Sequence, residues 1–170
     1  MAQFTMQAQQ ETEWCWAAVA VSVHQFLDAA AAGAWTQATL ATPVLNLEHA
    51  IPPGTVCSRN PDRCNLPARL DDALSVIGNL GPSGFLQDEH LTFESLQDWI
   101  DHQLPVCARI VWFQGGAHFI ALDGYRILSS GAQQVHVQDP LYGPSLQLYN
   151  DLVSDYPPGG SWNDTYLLKA

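Results

Sequence analysis

The stretch from Trp14 to Leu27 reads WCWAAVAVSVHQFL. It is apolar almost all round, the pattern of a helix buried on most faces. Glu11 and Glu13 precede it, where a helix dipole favours negative charge. The apolar run continues, rich in Ala, to Trp35, but His24, Gln25 and Asp28 interrupt it and Gly33 breaks it. A bilayer span needs ~20 residues that are mostly apolar and uncharged. The stretch therefore reads as a helix inside a globular core.

Working outward, the first half of the chain stays helical. Leu70 to Leu80 puts Leu70, Ala73, Leu74 and Ile77 on one stripe. A further helix is expected from Phe93 to His102, with Thr92 as its N-cap and Pro105 beyond its end. Between these, Ala41 to Leu70 is rich in Pro, Asn and Gly and reads as mostly irregular. The second half changes period. Val106 to Phe113 is β-branched and aromatic, Gly115-Gly116 marks a turn, and Ala117 to Ile127 follows as a strand. Ser129-Ser130-Gly131 is a second turn before Val135 to Gln138, and Leu146 to Tyr149 and Thr165 to Leu168 supply two more strands. Helices followed by strands predict an α+β fold: an N-terminal helical lobe, about 1–104, packed on a C-terminal antiparallel β-sheet lobe, about 105–170, with a cleft between them. The length of 170 residues suits one domain, 1–170.

Composition narrows the function. Six Lys and Arg against 17 Asp and Glu give a formal charge of -11. No basic stripe is present, so no nucleic-acid partner is expected, since phosphate neutralisation supplies most of such affinity. Anionic membrane surfaces are disfavoured for the same reason, and no membrane insertion is expected. No phosphate-binding Gly-rich loop, dinucleotide fingerprint or zinc-protease helix motif occurs, and no cofactor or metal is expected. The first fourteen residues carry no apolar signal-peptide core. The chain is therefore expected to be cytoplasmic in the producing cell, or delivered out of it by a specialised secretion system.

The four cysteines differ in setting. Cys107 lies in an apolar strand and reads as a buried thiol. Cys57 and Cys64 flank a short loop that a disulfide could close. Free thiols are the alternative, and two Cys with no His nearby make a poor zinc site. Cys15 stands at the start of the buried helix, where free N–H groups and the macrodipole stabilise a thiolate. A Cys nucleophile needs a base and a group that orients the base. His24 shares the helix of Cys15 and cannot reach it. His118 follows Gly115-Gly116-Ala117, where small residues leave room for a substrate backbone. His136 reads as a strand side chain without catalytic work. If the turn is centred near Ser130, position 120 faces 139 or 140, which brings Asp139 close to His118 across the hairpin. Asp123 is five residues from His118 and so faces the other side of the strand.

The stretch Gln9 to Ala18 (QQETEWCWAA) resembles the nucleophile motif of the papain-like cysteine proteases, in which a Gln lies six residues before the Cys and a Trp follows it. Gln9 and Trp16 hold those places. The chain is most similar to the short bacterial, effector-type branch of that group: Trp14 to Ala18, Cys64-Asn65 after a Cys-containing loop, Gly115 to His118, and Asp139-Pro140 occur in order. The resemblance implies a papain-like fold with a central Cys-bearing helix. It implies Cys15, His118 and Asp139 as catalytic residues and Gln9, with the Cys15 amide, as the oxyanion hole. Trp16, Gly115 and Gly116 are the substrate-binding candidates. Two departures from papain itself stand out: Asp replaces Asn as the third residue, and no Ser-Trp follows it, so Leu141 or Tyr142 is expected to shield the polar pair.

The implied activity is that of a cysteine endopeptidase acting through an acyl-enzyme on protein or peptide substrates. A bacterial effector or toxin role, held in check by a cognate inhibitor or immunity protein, follows by analogy. Fold alone does not decide the reaction. An amidase, deamidase, transglutaminase or peptidoglycan hydrolase could use the same three residues, and a catalytically silent binding module is a third class.

Overall fold

A computed structural model describes residues 3–28, 30 and 33–169. Part of the Trp14 to Trp35 run, at positions 29, 31 and 32, thus lies outside the described residues. The quoted stretch forms α1 (Cys15–Leu27), in which every residue from Cys15 to His24 is buried. Its alanines and valines let other elements approach closely on several sides. Two helices flank it, α2 (Gln37–Leu47) and α4 (Leu70–Val76), with the single turn α3 (Pro61–Cys64) between them in sequence. The chain then alternates: β1 (Leu80–Leu86), α5 (Phe93–Asp101), β2 (Val106–Trp112), β3 (Ala117–Ile127), β4 (Gln133–Gln138), β5 (Ser145–Leu148), α6 (Tyr149–Ser154) and β6 (Gly160–Leu168).

The strands make one sheet in the order β1-β6-β2-β3-β4-β5, with every neighbouring pair antiparallel. Alternation of side chains divides the sheet between two cores. Cys107, Phe119, Ala121, Tyr166 and Leu168 pack with α1, α2 and α4. Val106, Ala108, Ile110, Ile120, Leu122, Val135 and Val137 pack with α5 and α6 on the opposite face. The expected α+β architecture is present, with the Cys-bearing helix lying on the sheet.

The helix after Thr92 is observed, and the Thr92 side chain accepts from the Ser95 amide at 3.2 Å. Elsewhere the structure departs from the sequence reading. The segment read as irregular from Ala41 contains most of α2. Its Pro43 removes one helical N–H, yet Leu40, Ala41, Val44 and Leu45 are fully buried, and Thr36 and Thr39 cap its start reciprocally. The helix from Leu70 stops at Val76, and Leu80 begins β1 instead. β1 holds Gly81, Pro82 and Gly84, which a strand tolerates at a sheet edge and at a bulge; a register shift falls between Leu80 and Phe85. The sheet therefore draws on both sides of residue 105. Tyr149 opens α6 instead of closing a strand, and β6 starts at Gly160, five residues before the strand expected at Thr165.

Candidate active site

Cys15 is the first residue of α1, buried and not disulfide-bonded. The loop that follows Cys57 holds its segment in place. Cys57 and Cys64 are joined in a disulfide, their Cα atoms 5.5 Å apart. From the chain just beyond, the Cys64 carbonyl accepts from Trp14 Nε1 at 2.6 Å and the Leu66 carbonyl from Trp16 Nε1 at 3.1 Å. Asn65 Oδ1 accepts from the Glu13 amide at 2.9 Å, while Asn65 Nδ2 donates to Thr12 Oγ1 at 2.9 Å. Both residues flanking Cys15 are thus fixed by indole N–H groups that would otherwise be buried without partners.

His118 lies on β3, and Asp139 directly follows the neighbouring strand β4. Ala121 pairs with Gln138, so the next rung sets Ile120 against Asp139, and His118 is the diagonal neighbour on the same face. Nε2 of His118 donates to Asp139 Oδ1 at 2.8 Å, and both side chains are almost wholly buried. The same imidazole lies close enough to the Cys15 thiol to interact with it electrostatically. With Nε2 held by the carboxylate, Nδ1 is the nitrogen left to face sulfur. The bulge between Leu122 and Gly124 sends Asp123 elsewhere: it accepts from His136 Nδ1 at 2.7 Å and Gln138 Nε2 at 3.0 Å.

Asp139 is fully satisfied. Its Oδ1 also accepts from the amides of Leu141 and Tyr142 at 2.7 and 2.9 Å, and its Oδ2 accepts from the Tyr156 hydroxyl at 2.8 Å. The expected shield is only partly where the sequence put it. Tyr142 meets the His118 ring edge-on at 6.1 Å but is itself exposed, as is Leu141. The stacked cover comes from Trp112 on β2, whose ring lies 5.8 Å from that of His118 at 18°. Trp112 stacks in turn on Tyr156 at 6.2 Å. Gly160 makes room for it: a Cβ there would come within 2.6 Å of both Trp112 and Ile110.

Burial works against a charged imidazole, but the hydrogen bond to Asp139 and the interaction with Cys15 outweigh it and hold the His118 pKa up at about 9. Asp139 is also penalised by burial, yet the bonds from His118, Tyr142 and Leu141 keep its carboxyl below the usual range. An imidazole held in this way carries a proton at neutral pH and presents it beside a thiol. That combination can stabilise a thiolate and later protonate a leaving group.

A cleft of about 780 Å³ opens beside Cys15, between Pro67, Ala68 and Arg69 on one wall and Arg109, Phe119 and Tyr166 on the other. Trp16 and Gly116 border it, but the Trp16 side chain is fully buried, so it forms the floor. Gly115 is not among the lining residues. Both glycines have positive φ, 98° and 87°, which the tight β2–β3 turn requires. Gln9 lies close to the site, and its backbone N–H donates to the Pro140 carbonyl at 3.0 Å. Its side-chain N–H groups, however, are turned to the carbonyls of Glu11 and Thr12, at 3.0 and 2.7 Å. Its Oε1 is buried without a partner among the described residues. Gln10 instead spends its backbone N–H on the Gln37 side chain.

The family model described as papain-like cysteine protease AvrRpt2 matches residues 2–153, nearly the whole chain. The chain belongs to this family of papain-like cysteine proteases. No curated protein matches it.

In this protease, sequence reasoning missed Trp112 and Tyr156. Trp112 looked like one more aromatic in a strand. Tyr156 sits in the run Tyr-Pro-Pro-Gly-Gly at 156–160, which marks a turn and says nothing about a partner 17 residues away. Among the described residues, no helix of the protease is long and apolar enough to cross a membrane.

Proposed function

We propose that the chain is a single endopeptidase domain that cleaves protein substrates through Cys15, His118 and Asp139. The observation that supports this reading is the position of His118, hydrogen-bonded to a buried carboxylate and coupled electrostatically to the Cys15 thiol. His118 takes the thiol proton and keeps it as imidazolium. The Cys15 thiolate attacks the scissile carbonyl carbon. The oxyanion is bound by the Cys15 backbone N–H, in the first turn of α1 where amides have no helical partner. Gln9 supplies a second donor by turning its amide toward the cleft. His118 then protonates the leaving amine, and water, deprotonated by His118, releases the acyl group from Cys15. Asp139 fixes the imidazole orientation throughout.

The reading extends to biology by likeness to the effector-type family: a protease delivered into a target cell, where it cuts proteins, with a cognate inhibitor in the producer. Cys15→Ala should abolish hydrolysis of fluorescein-labelled casein and leave circular dichroism and melting unchanged. Mass spectrometry of target-cell proteins exposed to wild type and Cys15→Ala should show new termini with wild type alone. Full casein cleavage by Cys15→Ala would refute the proposal.

A further inference from the structure

We infer that Tyr156 is a positioning residue for the reaction, acting through Asp139; this rests on the triad proposed above. Three of the four donors on the Asp139 carboxylate, from His118, Leu141 and Tyr142, converge on Oδ1. Among the described residues, the Tyr156 hydroxyl is the single donor to Oδ2. Asp139 is 2% exposed, so water cannot replace that bond. Without it, a buried carboxylate oxygen would stand unpaired, a costly state. The group could relieve it by rotating away from His118 or by taking up a proton.

The surroundings keep Tyr156 suited to this task. Its ring is buried and stacked on Trp112, which in turn covers His118. Its amide donates to the Gly160 carbonyl at 2.7 Å and its carbonyl accepts from Gly160 at 2.9 Å, which ties it to the start of β6. Burial and the neighbouring Asp139 charge push its phenol far up, so the hydroxyl remains a donor wherever the enzyme works. The groups facing Asp139 are His118 from β3, Tyr142 from its own loop and Tyr156 from the turn before β6, with Cys15 beyond His118. His118 is the one cation in this set, and Tyr156 lowers the carboxylate energy without competing for that charge.

The test is a cycle of Tyr156→Phe, Asp139→Ala and the double variant in the full chain, with Cys15→Ala as control. Two readouts serve: casein hydrolysis, and the rate of Cys15 alkylation by iodoacetamide against pH. Phe keeps the stacked ring, and melting in each variant fixes a temperature at which all are folded. Tyr156→Phe should lower kcat about tenfold with KM unchanged, the scale of one hydrogen bond to a charged group. Its alkylation curve should move to higher pH on the acid side, because the carboxylate loses a donor and protonates earlier. In the Asp139→Ala background, Tyr156→Phe should change neither. Wild-type kcat and pH curve in Tyr156→Phe, with Cys15→Ala inactive, would overturn the role of Tyr156 and leave the triad standing. An equal loss with and without Asp139 would also overturn it, since Tyr156 would then act through the fold. Hydrolysis by Cys15→Ala would instead bring down the underlying reading.

Discussion

At the scale of single residues, Gln9 is the position where chemistry and resting structure pull apart. Its likeness to the family's Gln makes it the proposed oxyanion donor, yet its N–H groups brace the turn at Glu11 and Thr12 and its Oε1 has no partner among the described residues. A buried acceptor without a donor makes the resting orientation less stable than a fully paired amide, which favours turning when an oxyanion arrives. Gln9→Ala should lower kcat on casein by about 10²-fold, the usual loss for one oxyanion donor, with KM little changed. A null effect would leave Gln9 as a brace of the loop alone. The pairing of Asp139 with His118 was legible because hairpin counting from Ser130 needs only local turn chemistry. Tyr156 was not, because nothing local reports that its hydroxyl meets the carboxylate of Asp139 beyond the end of β4.

At the scale of elements, α1 and the segment after Cys64 behave as one unit. Four hydrogen bonds join residues 12–16 to 64–66, and the disulfide closes the loop just before them at a sequence separation of 7. Removing the cross-link by Cys57→Ser with Cys64→Ser should cost about 2–3 kcal/mol for a loop this short. Denaturant unfolding measures that loss, and casein turnover should fall with it because Trp14 and Trp16 lose a fixed partner. Unchanged turnover in a destabilised variant would show that the loop serves the fold alone. Periodicity revealed α1 and α5, whose burial patterns are strong. It failed at α2, where Pro43 reads as a breaker but apolar burial outweighs one lost bond. It failed again at β1, whose Gly and Pro are acceptable only because β1 is an edge, and a sequence does not announce which strand is outermost.

At the scale of the whole molecule, the proposed site exists only where two layers meet: Cys15 stands on the helical layer, while His118 lies on β3 of the sheet and Asp139 directly follows β4. Stability and activity should therefore share a pH dependence. The His118 pKa is raised, so its charge contributes stability in full below about 6.5, the unperturbed value, and loses it as pH rises through about 9. Asp139 has the opposite sign, contributing above its ordinary value of 3.8 and losing that as pH falls through its depressed one. The melting temperature of wild type should exceed that of His118→Ala most near pH 6, and the gap should close toward pH 10. A gap that stays constant would mean that the imidazolium is not held by the fold. The contact between layers is itself the central claim, and the rate of Cys15 alkylation by iodoacetamide against pH reports it directly. With His118 beside sulfur, wild type should react at lower pH than His118→Ala, whose curve should shift upward on the acid side because the cationic partner is gone. Superimposable curves for the two proteins would contradict the contact, and with it the assignment of Cys15 and His118 as one catalytic pair.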